Sequence, residues 1–102
     1  MTDEIVKTFT QSIRSRLPGS IHEIILFGSR ARGDNGPNSD YDFLVIVNKK
    51  SQKLYDIIRE IEIMVLNKFD LLSGSIICEK EEWEKNKKFP VGRNIEREGV
   101  LV

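Results

Sequence analysis

Residues 39–47 read Ser39-Asp40-Tyr41-Asp42-Phe43-Leu44-Val45-Ile46-Val47. Tyr41 to Val47 reads as the strongest strand of the chain, and because every position from Phe43 onward is apolar it is buried on both faces and belongs in the middle of a sheet. Its opening residues differ in kind. Side chains two apart on a strand share a face, with Cα atoms about 6.5–7 Å apart. Asp40 and Asp42 therefore set two carboxylates side by side where an apolar strand begins. Like charges held together disfavour ionisation, and a divalent cation removes that penalty. Mg²⁺ takes one or two carboxylates and fills its shell with water and substrate phosphates. A lone Asp-x-Asp reads more simply as a turn cap beside a solvated carboxylate, so the neighbouring segments decide.

Upstream, Ile21 to Phe27 is a short β-rich run that stops at Gly28. In Leu26-Phe27-Gly28-Ser29-Arg30 a strand ends in small residues, and with no Cβ on Gly28 a ligand can approach the backbone. If Arg30 to Arg32 begin a helical turn, its free N–H groups suit an anion, and Ser29 adds a hydroxyl. Arg30 and Arg32 can each grip phosphate oxygens. Being two apart they do not share a helix face, so one reaches a bound phosphate and the other pairs with a local carboxylate such as Asp34. A Walker loop is excluded, because Gly33 is followed by Asp34-Asn35. The spacing of Gly28, Gly33 and Gly36 also fails the dinucleotide fingerprint.

Downstream, Leu54, Ile57, Ile58, Ile61 and Val65 follow helical spacing after a Ser51 cap. Phe69 to Ser73 reads as a third strand and Ile76 to Cys78 as a fourth. Asp70, among Phe69, Leu71 and Leu72, needs a partner if it is buried. With Asp40 and Asp42 it completes a three-carboxylate site on one face of the sheet. Glu79 to Lys88 reads as a surface helix anchored by Trp83. Pro90 to Glu98 reads as another, ended by Gly99. At the other end, Thr2 caps a helix whose apolar stripe is Ile5, Val6, Phe9, Ile13 and Leu17. The order predicts an α/β (α+β) fold, a small mixed β-sheet of three to four strands with helices packed on it. Such a sheet leaves apolar surface that a partner can bury.

Bulk properties narrow the function. A chain of 102 residues makes one domain, 1–102. The 16 basic and 16 acidic residues cancel, which disfavours a nucleic-acid polymer as the main partner. Cys78 is the sole cysteine, beside Ile76 and Ile77, and reads as a buried inert thiol. No apolar run approaches the roughly 20 residues that span a bilayer. The acidic start, Asp3-Glu4, does not fit a signal peptide, and the expected location is cytoplasmic. His22 reads as structural, and Lys49, Lys50 and Lys53 as a solvated turn.

Gly28-Ser29, ten residues, then Asp40-Tyr41-Asp42 resembles the signature of the DNA polymerase β-like nucleotidyltransferase superfamily. The string from Gly28-Ser29-Arg30-Ala31-Arg32-Gly33 through Ser39-Asp40-Tyr41-Asp42-Phe43-Leu44-Val45 is similar to its small prokaryotic branch. Those are the minimal nucleotidyltransferases, or MNT proteins, often encoded beside a helical HEPN partner as toxin–antitoxin pairs. Asp70 stands where the family's third acidic residue is expected, and the ending through Arg93, Gly99 and Val102 is similar too.

The resemblance implies a polymerase β-like core with catalytic residues Asp40, Asp42 and Asp70. Gly28 and Ser29 would cradle the triphosphate of ATP, helped by Arg30 or Arg32. Asp40 and Asp42 would hold two Mg²⁺ ions, while Asp70 would bind one and help the acceptor hydroxyl lose its proton. AMP would pass to a hydroxyl by in-line displacement of pyrophosphate. The implied acceptor is a tyrosine of a HEPN-type toxin, in a homo- or hetero-oligomer. Two other readings stand beside this one. The chain could neutralise its partner by binding alone, or transfer a nucleotide to a small molecule, against which the lack of a second domain counts.

Overall fold

The structure, a computed structural model, describes residues 3–102. Thr2, the expected first cap, lies outside the described residues. Helix α1 (Glu4–Arg16) is instead capped by Asp3, whose carboxylate accepts from the N–H groups of Ile5 and Val6 at 2.8 and 3.2 Å. Such a cap is worth about 1 kcal/mol. Strand β1 (Ile21–Phe27), the short helix α2 (Ser29–Arg32) and strand β2 (Tyr41–Val47) follow. Helix α3 (Gln52–Phe69) starts at Ser51, whose hydroxyl accepts from Leu54 N–H at 3.1 Å. Then come β3 (Ser73–Glu79), α4 (Lys80–Asn86), α5 (Pro90–Glu98) and a two-residue strand, β4 (Val100–Leu101).

The four strands form one mixed sheet in the order β3-β2-β1-β4. β1 is antiparallel to β2 and β4, and β2 is parallel to β3. A parallel pair needs a crossover, and α3 supplies it. As its sequence demands, β2 is interior. Phe43, Val45 and Val47 pack with Ile24 and Leu26 against the apolar stripes of α1 and α3. Leu44 and Ile46 face the other way, onto Cys78, Trp83 and Ile95 under α4 and α5. The Phe9 and Phe43 rings stack with centroids 3.9 Å apart at the centre of the larger layer. Removing either ring would cost about 3–5 kcal/mol.

Two strand assignments change. Phe69 to Ser73 is not a strand: Phe69 follows Val65 at the i+4 position of α3 and packs onto the same core. Asp70 ends that helix in the left-handed conformation, φ 57° and ψ 35°, and its N–H donates to Leu66 O at 2.8 Å. Aspartate tolerates this backbone better than most residues. The third strand begins only at Ser73 and absorbs the separate piece expected at Ile76 to Cys78.

Candidate active site

The site is assembled where β1 and β2 run out. Register pairs Phe27 with Asp42, so the turn after β1 lies beside the start of β2. Gly28 has φ 78° and ψ −160°, a backbone that side chains resist. A Cβ at Gly28 would also stand 2.5 Å from Asp42 Oδ2. The glycine thus admits the carboxylate against its backbone. The N–H groups of Ala31 and Arg32 both donate to Gly28 O at 3.0 Å, starting the turn of α2. Ser29 and Arg30 N–H come ahead of that ladder, and such groups serve as anion donors.

Asp42 is half-buried and Asp40 is exposed at the mouth of the strand. Burial pushes the Asp42 carboxyl above its ordinary range, and the charge of Asp40 pushes it further. Arg32 pulls the other way. A carboxylate held in that state gains when a cation arrives. The donor set therefore suits a hard cation such as Mg²⁺, with the remaining ligands drawn from substrate and water.

The two arginines separate cleanly. Arg30 binds the loop rather than facing the aspartates. Its Nε and Nη2 donate to Ser39 O at 3.2 and 3.0 Å, and Nη2 also reaches Pro37 O at 3.1 Å. The guanidinium lies 4.4 Å over the Tyr41 ring. The Tyr41 hydroxyl in turn donates to Asp3 Oδ2 at 2.6 Å. Burial and that carboxylate push the Tyr41 phenol up to about 12. Arg30 thus fixes the carbonyl immediately before Asp40. Arg32 takes the expected pairing with Asp34 and adds Glu98, each at 3.1 Å. It is also the arginine whose charge acts on Asp42, so pairing with Asp34 does not remove it from the site as the sequence suggested.

The three-carboxylate cluster is not assembled. Asp70 is exposed at the end of α3, and the β3 residue in register with Asp42 is Gly74. Among the described residues no group of three His, Cys, Asp or Glu side chains could hold a metal. Asp70 needs no partner because it is solvated. Cys78 is buried and free, its thiol pushed up mainly by burial, as expected of an inert cysteine. His22 is exposed. Among the described residues, no helix is long and apolar enough to cross a membrane. Sequence reasoning missed Asp3, Tyr41 and Glu98 as supports of the site. Asp3 sits in a visible capping position, whereas nothing local links Glu98 to Arg32.

A mixed sheet that brings a glycine turn against paired aspartates defines a nucleotidyl-transferring class of site. The chain belongs to the nucleotidyltransferase domain family, whose profile matches residues 6–101. The likeness to the family's minimal branch, read from the sequence, holds, and the chain is a nucleotidyltransferase. It is 30% identical over 100 residues to a Methanocaldococcus jannaschii protein provisionally named a protein adenylyltransferase, covering 98% of this chain and 96% of that one. A second protein of the same organism, with the same provisional name, is 37% identical over 82 residues, 76% of this chain and 79% of the other. The fold is also that of a toxin–antitoxin crystallised with AMP-PNP, with a TM-score of 0.64 at 15% identity, covering 91% of this chain and 68% of that one. A Sulfolobus solfataricus structure provisionally named a nucleotidyltransferase superposes with a TM-score of 0.58 at 23% identity, covering 96% and 76%.

Proposed function

We propose that this nucleotidyltransferase transfers AMP from ATP to a hydroxyl of a protein partner, a tyrosine of a HEPN-type toxin, and so silences it. The observation that carries this reading is the Asp42 carboxylate seated against Gly28, with Asp40 beside it. That geometry joins a phosphate-admitting turn to a pair of hard anionic ligands. The names of the two Methanocaldococcus relatives support a protein as acceptor, and the toxin–antitoxin structure with AMP-PNP supports both the partner and the donor.

In this reading Gly28 and Ser29 take the triphosphate and Arg32 adds positive charge from the same turn. Asp40 and Asp42 would hold Mg²⁺, which when bound neutralises charge on the phosphates and polarises the reacting phosphorus. Arg30 keeps Asp40 in place through Ser39 O. The acceptor oxygen forms a bond to the α-phosphorus, the bond to the β-phosphate oxygen breaks, pyrophosphate leaves, and the hydroxyl proton passes to water. Positioning and electrostatics supply the acceleration. With two carboxylates rather than three, proton removal relies on solvent at the open side of the site.

The test is ATP labelled at the α- or the γ-phosphate, incubated with Mg²⁺, this protein and its toxin partner. The α-label is expected on the partner and the γ-label in pyrophosphate. A partner neutralised without acquiring label would replace this reading with silencing by binding alone.

A further inference from the structure

On the α4/α5 side of the sheet, the parallel register sets Gly74 beside Asp42 and Ile76 beside Leu44. Gly74 is exposed, its φ is not positive, and a Cβ there would meet nothing within 4 Å. Neither backbone nor packing demands glycine, so its effect is to leave bare backbone on the outer flank of Asp42.

One step further along the strands lies an apolar groove of about 190 Å³, lined by Leu44, Ile76, Trp83, Phe89, Val91 and Ile95. Ile76, Phe89 and Val91 remain 46%, 63% and 68% exposed. Contiguous apolar surface of this kind marks interaction sites. The segment that supplies Asn86, Phe89, Val91 and Gly92 to the groove is cationic in sequence. Residues 85–93 contain Lys85, Lys87, Lys88 and Arg93 and no acidic residue. Lys87 is paired with Glu84 and Glu96, while Lys85, Lys88 and Arg93 form no ion pair among the described residues.

We propose that this groove docks the acceptor protein through an apolar side chain flanked by acidic residues. The bare step at Gly74 then lets the adjoining stretch carry its hydroxyl to Asp40 and Asp42. Charge complementarity selects an acidic flank, and continuity with Asp42 selects the acceptor as occupant. The assignment rests on the transferase reading above.

Trp83 is the only tryptophan and lines the groove, so its emission reports occupancy. The probes are two synthetic peptides with the same tyrosine and phenylalanine, one flanked by Asp and Glu and the other by Lys. The acidic peptide should shift Trp83 emission saturably and the basic one should not. Val91→Glu should weaken that response about tenfold or more while Mg·ATP binding, followed by calorimetry, stays unchanged. Gly74→Leu should keep the emission change and lower AMP transfer to the acidic peptide about tenfold or more. Equal responses to both peptides, or an unaffected Val91→Glu, would overturn the groove. Saturable binding of peptide and Mg·ATP with no AMP on any acceptor would instead overturn the transferase reading, and the acceptor role with it.

Discussion

The Asp42 carboxylate lies against the Cα of Gly28, in the space a side chain on that glycine would fill. Two consequences follow from that contact, one for the turn and one for the carboxylate.

Gly28→Ala must adopt a positive φ and displace Asp42. A side chain on this positive-φ extended backbone costs about 1–3 kcal/mol and overpacking about 1–3 kcal/mol. Gly33→Ala is the control, since Gly33 has φ 86° but nothing within 4 Å of a Cβ. Urea unfolding should show Gly28→Ala to be the more destabilised of the two. Calorimetry should show that it alone loses Mg·ATP binding.

Asp42→Asn should stabilise the metal-free protein at neutral pH and abolish Mg·ATP binding. The Asp42 carboxyl is raised by burial and by Asp40, so the folded state holds that proton more tightly than the unfolded state. Its contribution is full below the ordinary carboxylate range and is lost as pH rises through the raised value. Wild type should therefore lose stability relative to Asp42→Asn as pH rises from about 4 toward neutrality. Thermal melts across that range, without divalent metal, check the slope.

Arg30 and Arg32 should fail differently. Arg32→Ala should weaken Mg·ATP binding by about 1.5–3 kcal/mol, the range for a hydrogen bond to a charged group, with little effect on unfolding. Arg30→Ala removes the donors to Ser39 O and Pro37 O and the cover over Tyr41, and should chiefly lower stability. Parallel calorimetry and denaturation of both variants separate the two effects.

Much of the frame was legible because its signals are local. The apolar run after Asp42 and the glycine after Phe27 fixed β1 and β2 at the bounds the structure shows. That one of the two arginines pairs with Asp34 was legible for the same reason, whereas its being Arg32 was not. Asp70 was misplaced because Leu71 and Leu72 imitate a strand, whereas Phe69 continues the spacing of Ile61 and Val65. Ser73-Gly74-Ser75 carries little strand propensity, and pairing with β2 makes it one. Likewise β4 exists only through its pairing with β1. The role of Arg30 depends on carbonyls that the loop presents once folded, and Glu98 reaches Arg32 from 66 positions away.

Asp70 supplies a sharp contrast. As an exposed left-handed helix end, it should be replaceable by Asn with transfer retained and by Gly with a gain of up to about 1 kcal/mol. Turnover of Asp70→Asn near that of wild type, with a raised unfolding midpoint for Asp70→Gly, is the expected pair of results.

The most direct measurement is the intact mass of the toxin partner after incubation with Mg·ATP. Wild-type protein and the Asp40→Asn plus Asp42→Asn variant are compared at concentrations where both bind the partner. Wild type should add the mass of an adenylyl group to a tyrosine, and the double variant should leave the partner unchanged. An unmodified partner with both proteins, or equal modification by both, would contradict transfer at the paired aspartates.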